Sequence, residues 1–135
     1  MLPEYLSLEL AATFDAATQA DLPASLAAIQ RYRDDWLALY ARLAKDLDLH
    51  IVAGSFLLAQ GEGRYRNRSD VFTPHGAHAW QDKLQLTGFE KGLGFIDGGD
   101  ALKVFDLAGV RSGVAVCYDS EFPLPVRAQA ESGAR

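Results

Sequence analysis

The single cysteine of the sequence, Cys117, is the first residue whose type and position suggest chemistry. It follows a short apolar run and precedes a segment over 121–132 that is predicted to be helical. A thiol at a strand-to-helix junction faces the positive end of the helix dipole, which favours the thiolate. The backbone N–H groups after it can hold a developing oxyanion. A lone cysteine is also a common small core residue, so its position alone leaves both interpretations open.

A nucleophilic cysteine needs a base, and the three histidines are the usual candidates. His75 and His78 flank a predicted turn and His50 opens a predicted buried strand, so we interpret all three as structural. No second cluster of ligands accompanies them, and no metal site is predicted. Lys83 and Glu4 are better placed, because each follows what looks like the end of a strand, where open α/β folds collect their sites. Either residue is also an ordinary surface charge, and spacing alone does not separate the two interpretations.

The elements that would position these residues follow from the hydrophobic pattern. Residues 7–22 are rich in alanine and predict a loop or a broken helix. Apolar residues then recur at three- and four-residue steps and predict one amphipathic helix over about 23–47. Five later segments are apolar or alternate in polarity and predict strands: residues 50–57, 65–73, 77–82, 102–107 and 112–116. The glycine-rich stretch 84–100 predicts a surface loop, and the whole pattern predicts an α/β fold.

Composition excludes several classes of protein. The chain has 135 residues, of which 49% are hydrophobic and 23% are charged, so it is neither disordered nor fibrous. The net charge of −5 argues against a nucleic-acid partner. No apolar run approaches the roughly 18 residues of a membrane span, and the N-terminus lacks the pattern of a signal peptide. With one cysteine and therefore no internal disulfide, we expect a cytoplasmic protein.

Several segments together resemble the nitrilase, or carbon–nitrogen hydrolase, superfamily. Leu2–Tyr5 is similar to the glutamate segment of that family. Gln81–Leu84, followed by Thr87–Glu90, is similar to its lysine segment, and Tyr65–Gly76 to the Asn-containing strand and turn that lead to it. Gly113–Pro123 resembles the cysteine elbow, which is the most specific of these motifs. The segments occur in the family's order along the whole chain.

The resemblance implies a role for each matching residue. Cys117 would be the nucleophile, Glu4 the general base, and Lys83 the group that stabilises the tetrahedral intermediate. Glu90 matches a second glutamate that helps position the lysine and the substrate, and the N–H of Tyr118 would share the oxyanion with Lys83. The substrate would be a small amide, nitrile or N-carbamoyl compound, attacked without a metal or cofactor through a thioester.

The resemblance also implies a fold, a partial αββα sandwich. Residues 1–135 would form a carbon–nitrogen hydrolase domain that lacks the first strand and the C-terminal half, because the family's sandwich needs about twice this length. Leu124 stands where the family usually has a glutamate after the proline. An alternative function is a catalytically inactive, truncated remnant that acts as an assembly domain, and a redox-sensing thiol is a third. Uncovered strand edges and apolar faces predict a homo-oligomer.

Overall fold

The N-terminal third of the chain is helical in several pieces. The computed structural model describes all 135 residues. Two 3₁₀ helices and three α-helices follow one another: Leu6–Thr13, α1 Ala16–Ala20, α2 Leu22–Ile29, the 3₁₀ helix Gln30–Tyr32 and α3 Arg33–Asp46. Asp15 caps α1 and Asp21 caps α2, each through its side chain. The helix predicted over 23–47 is therefore present, with one 3₁₀ turn inside it, and the broken helix predicted over 7–22 is also found.

The strands form one main sheet and one small hairpin. Their bounds are β1 Ile51–Gly61, β2 Arg64–Phe72, β3 His78–Asp82, β4 Ile96–Asp97, β5 Val104–Leu107 and β6 Val110–Gly113. In the main sheet β1, β2 and β3 are antiparallel neighbours in that order, and β4 runs parallel to β2. The antiparallel pair β5–β6 forms the second sheet. Two helices complete the chain, α4 Gly88–Leu93 and α5 Pro123–Glu131.

The main sheet is covered on both faces. On one face α3 packs aromatic rings against the strands, with Trp36 5.5 Å from Phe56 and Tyr40 6.1 Å from Phe72 between ring centroids. Since neighbouring residues of a strand point to opposite faces, Val71 lies on the other face. There it joins a small buried cluster with Val114 and Val116, against which Phe105 and Leu107 of β5 pack. The predicted α/β class is confirmed.

The structure corrects the expected strands near the cysteine. The segment predicted as a strand over 112–116 keeps its ladder only to Gly113, and the next three residues belong to no strand. The predicted loop over 84–100 contains α4 and β4. No helix combines the length and the apolar character needed to cross a membrane.

The predicted helix over 121–132 begins at Pro123 and not before it. Phe122 has φ −105° and ψ 117°, an extended conformation. Contact with the proline ring disfavours the α-helical region for the residue that precedes it. The 3₁₀ helix Cys117–Glu121 therefore cannot run on into α5.

Candidate active site

Glu4 is held by the N-terminal segment of the chain, which lies on β1. The N–H of Ser55 donates to the carbonyl of Pro3 at 3.2 Å, and the Ser55 hydroxyl accepts from the N–H of Tyr5 at 2.8 Å. Gly54 makes this approach possible, because a Cβ there would lie 2.4 Å from the Pro3 carbonyl oxygen. Because Gly54 has no side chain, the N-terminal segment can lie against β1, and this position determines where the Glu4 carboxylate lies.

Lys83 lies directly after β3, as the sequence predicts. Its backbone bonds to two neighbouring segments, since its N–H donates to Asn67 at 2.9 Å and its carbonyl accepts from Gly99 at 2.7 Å. The side chain is 1% exposed. Its ammonium group lies 2.8 Å from Glu4 Oε1 and 2.8 Å from Glu90 Oε2. Burial lowers the pKa of Lys83, but hydrogen bonds to these two carboxylates outweigh burial and raise it overall, so the amine is charged.

Glu90 is the fully buried member of the group. It occupies the third position of α4, where it forms a capping box with Thr87: the Thr87 hydroxyl accepts from the Glu90 N–H at 3.2 Å, and Glu90 Oε2 accepts from the Thr87 N–H at 2.8 Å. The Tyr5 hydroxyl donates to Glu90 Oε1. Burial raises the pKa of Glu90, but hydrogen bonds from Lys83, Tyr5 and Thr87 hold it below its ordinary value. Glu90 is therefore a carboxylate that anchors Lys83.

Asn67 is a site residue that the sequence pattern did not single out. It is fully buried in β2, and its Nδ2 group donates to Glu4 Oε1 at 2.7 Å. The same group lies 3.5 Å from Glu90 Oε1. Glu4 Oε1 thus accepts from both Asn67 and Lys83. The available signal was an uncharged amide between two arginines in an alternating strand, although alternation alone does not identify its partners.

Cys117 opens the 3₁₀ helix with φ 46°, in the left-handed region that non-glycine residues rarely adopt. The thiol is exposed, and a cleft of about 240 Å³ opens beside it. Glu4 lines that cleft too, together with Leu2, Pro3 and Val114–Val116. A strained turn that presents a side chain to an open cleft is typical of a functional position.

The charges around Cys117 correct the expectation of a favoured thiolate. Hydrogen bonding to the Glu4 carboxylate is the largest cause that raises the pKa of the thiol, followed by burial. The Lys83 ammonium and the backbone N–H of Tyr118 act in the opposite direction and lower the pKa less. No continuous helix follows Cys117 to supply the expected dipole. The sulfur is therefore a neutral thiol beside a carboxylate that can accept its proton.

The structure thus gathers the five residues singled out from the sequence near the end of β3. Lys83 joins Glu4 to Glu90 through direct contacts, and both Glu4 and Lys83 act on the Cys117 thiol. The backbone N–H of Tyr118 also lowers the pKa of this thiol. A carboxylate and a thiol that line one cleft, with a fixed cation bonded to the carboxylate, are the groups that acyl transfer requires.

Comparison with known proteins connects this geometry to a family. A family model described as carbon-nitrogen hydrolase matches residues 2–135. Over 107 residues the chain is 33% identical to the probable hydrolase YhcX of Bacillus subtilis, a match that covers 79% of this chain and 21% of that protein.

Two solved structures show the same likeness. A mutant of the amidase from Nesterenkonia sp. AN1, with acrylamide added at its active-site cysteine, is 26% identical with a TM-score of 0.69, over 99% of this chain and 50% of that one. The protein XC1258 from Xanthomonas campestris, with an arsenic adduct in its active site, is 30% identical with a TM-score of 0.58, over 66% and 33%. The chain thus spans from about a fifth to half of the length of these relatives.

Proposed function

Because this chain belongs to the carbon-nitrogen hydrolase family, we propose that it cleaves a non-peptide amide bond through a thioester on Cys117. The single observation that carries the proposal is the position of Lys83, whose ammonium group lies 2.8 Å from both Glu4 and Glu90 while Glu4 acts on the Cys117 thiol. The amidase from Nesterenkonia sp. AN1, which carries a covalent adduct at its active-site cysteine in two mutant structures, supports the same reaction class.

The first half-reaction acylates the cysteine. Glu4 takes the proton of the Cys117 thiol, and the sulfur forms a bond to the amide carbon. The carbonyl oxygen becomes an oxyanion, which the Lys83 ammonium and the Tyr118 N–H stabilise. Glu4 then gives its proton to the amide nitrogen as the C–N bond breaks, and ammonia or an amine leaves.

The second half-reaction releases the acid. Glu4, again a carboxylate, takes a proton from a water molecule as the water oxygen attacks the thioester carbon. The same two donors stabilise the second tetrahedral intermediate, and its collapse breaks the C–S bond. The thiolate recovers a proton from Glu4, and a carboxylic acid is the product. In this scheme Glu90 is a positioning residue, because its bonds with Lys83, Tyr5 and Thr87 keep the cation in place.

The cleft beside Cys117 favours a small acyl group. Its volume of about 240 Å³ suits a few heavy atoms, and side chains of Leu2, Pro3 and Val114–Val116 contribute apolar surface. We therefore place short aliphatic amides first among the substrates, ahead of nitriles and N-carbamoyl compounds.

An ammonia-release assay over short amides, nitriles and N-carbamoyl compounds tests the proposal. We expect turnover of at least one short amide by the native chain and none by Cys117→Ala. Asp106→Asn, a substitution on the exposed part of β5, is the matched control and should leave the rate unchanged. Turnover that survives in Cys117→Ala, or a folded native chain that hydrolyses no compound of the panel, would overturn the assignment.

A further inference from the structure

The carboxylate of Asp119 joins the two segments that carry Cys117 and Lys83. Asp119 is 2% exposed and lies two residues after the cysteine. Its Oδ2 atom accepts from the N–H of Val116, immediately before Cys117, at 3.1 Å. Its Oδ1 atom accepts from the N–H groups of Leu84 at 3.1 Å and Gln85 at 2.6 Å, immediately after Lys83. One side chain therefore holds both segments.

This carboxylate is buried without a cationic partner, since none of the salt bridges of the chain includes Asp119. Burying a charge is costly unless it is well hydrogen-bonded, and here only backbone N–H groups compensate for the cost. A cap for the 3₁₀ helix alone would need only the contact with Val116. The contacts with Leu84 and Gln85, 35 and 34 residues away, require another explanation.

The other hydrogen bonds of these two segments do not join the Cys117 segment to the Lys83 segment. Ser120 donates to the Cys117 carbonyl at 2.7 Å, within the same turn. Gly99 and Asn67 bond the backbone of Lys83, but neither is hydrogen-bonded to the cysteine segment. Among the hydrogen bonds of the structure, those of Asp119 connect the residues beside Lys83 to the residues beside Cys117.

We infer that Asp119 is a positioning residue that sets the distance between the Cys117 sulfur and the oxyanion donors, Lys83 and the Tyr118 N–H. This inference rests on the proposed function, because it concerns the alignment of an oxyanion with its donors. Asp119 touches neither substrate nor sulfur in this role. It acts through the backbone on either side of the cleft.

Asp119→Asn is the sharpest perturbation. An amide side chain of nearly equal size keeps one acceptor oxygen, and its NH₂ group faces an N–H donor at the other end. The link between the two segments is cut while one half of it stays. A second variant, Asp119→Glu, keeps both acceptor oxygens at the cost of one extra methylene and should restore part of the lost function. Asp106→Asn again supplies the same chemical change at an exposed position.

Two probes of the same sulfur separate positioning from stability. Iodoacetamide alkylates the thiol by displacement and forms no oxyanion, whereas p-nitrophenyl acetate acylates it through one. For Asp119→Asn we expect acylation to fall on the order of 10- to 100-fold while alkylation changes by less than about threefold, since misalignment acts on the oxyanion step. Near-ultraviolet circular dichroism verifies that each variant is folded.

The outcomes are distinct. Unchanged acylation in folded Asp119→Asn, or an equal loss of acylation and alkylation, overturns the inference and leaves the proposed function standing. A native chain that p-nitrophenyl acetate acylates no faster than Cys117→Ala overturns the proposed function and this inference with it. If Asp119→Asn does not fold, the ratio in Asp119→Glu decides: a lowered acylation-to-alkylation ratio supports positioning, and the native ratio refutes it.

Discussion

Replacing Lys83 with methionine tests how much its buried ion pairs with Glu4 and Glu90 contribute to the stability of the fold. The substitution keeps an unbranched side chain of similar length and removes the ammonium that lies 2.8 Å from Glu4 and from Glu90. Glu90 is then a fully buried carboxylate without its cation. Removing one partner of a buried ion pair costs about 3–5 kcal/mol. We expect a loss of that size, which lowers Tm on the order of 10–20 °C for a domain of this length.

The loss of stability in Lys83→Met should depend on pH, and the pKa of Glu90 determines in which direction. In the native chain the pKa of Glu90 lies below its ordinary value of 4.5, so its contribution is present above that pH and is lost as the pH falls. In Lys83→Met the hydrogen bond that most lowers this pKa is gone and burial, which raises it, remains. If the pKa of Glu90 in folded Lys83→Met lies above its value in the unfolded chain, Glu90 contributes stability at low pH, and this contribution disappears as the pH rises. The stability gap between the two proteins should therefore narrow as the pH falls from about 7 to about 4.

Urea unfolding of both proteins at several pH values provides the measurement. Lys91→Met, an exposed lysine of α4, is the matched control and should stay within about 0.5 kcal/mol of the native chain at every pH. The double variant Lys83→Met/Glu90→Gln should recover part of the loss, because it removes the uncompensated charge. A loss below about 1 kcal/mol, or a gap that widens as the pH falls, would refute the reasoning about this buried pair.

Three further predictions concern other parts of the structure. Glu4→Gln removes the largest cause that raises the pKa of Cys117, so the pH profile of iodoacetamide alkylation should move to lower pH. Amide turnover should fall by about 10²-fold or more, because the general base is lost. The exposed control Glu9→Gln should change neither quantity, and an alkylation profile that moves to higher pH would contradict this prediction. Gly54→Ala forces a Cβ to within 2.4 Å of the Pro3 carbonyl oxygen and should lower the free energy of unfolding by about 1–3 kcal/mol in thermal or urea unfolding. Gly92→Ala in α4, with open space around it, should not destabilise the protein, and equal effects of the two substitutions would refute the packing argument. Finally, we propose self-association through exposed apolar side chains such as Leu124, which is 76% exposed; light scattering should give at least a dimer that Leu124→Asp weakens, and a monomer at tens of micromolar would contradict it.

Local pattern was sufficient for much of the fold. The three- and four-residue steps from Leu26 to Leu47 predicted the helices that cover the sheet, and the Pro74–Gly76 turn separated β2 from β3 as expected. The resemblance that placed the chain in its family was carried by short motifs, and the family match confirms it. The capping box of Thr87 and Glu90 was a readable signal for α4 within the predicted loop, because a threonine three residues before a glutamate is typical of a helix start.

Contacts between residues that are far apart in the sequence could not be predicted from the local pattern. Asn67 and Asp119 became visible only through partners more than 30 residues away. The expectation of a favoured thiolate was wrong for the same reason, since it considered the helix after Cys117 and not the Glu4 carboxylate that the fold brings to the sulfur. Spacing along the chain does not predict such tertiary electrostatics, which depend on how the N-terminal segment lies on β1.

A mass spectrum of the chain, quenched in acid during turnover of a short amide, shows directly whether Cys117 carries the acyl group. We expect an increase in mass equal to the acyl group less the thiol hydrogen that it replaces, located on the peptide that contains Cys117. The increase should be absent from Cys117→Ala and reduced in both Glu4→Gln and Lys83→Met. Turnover with no acyl group on Cys117, or an acyl adduct that forms equally well without Glu4 and Lys83, would contradict the account.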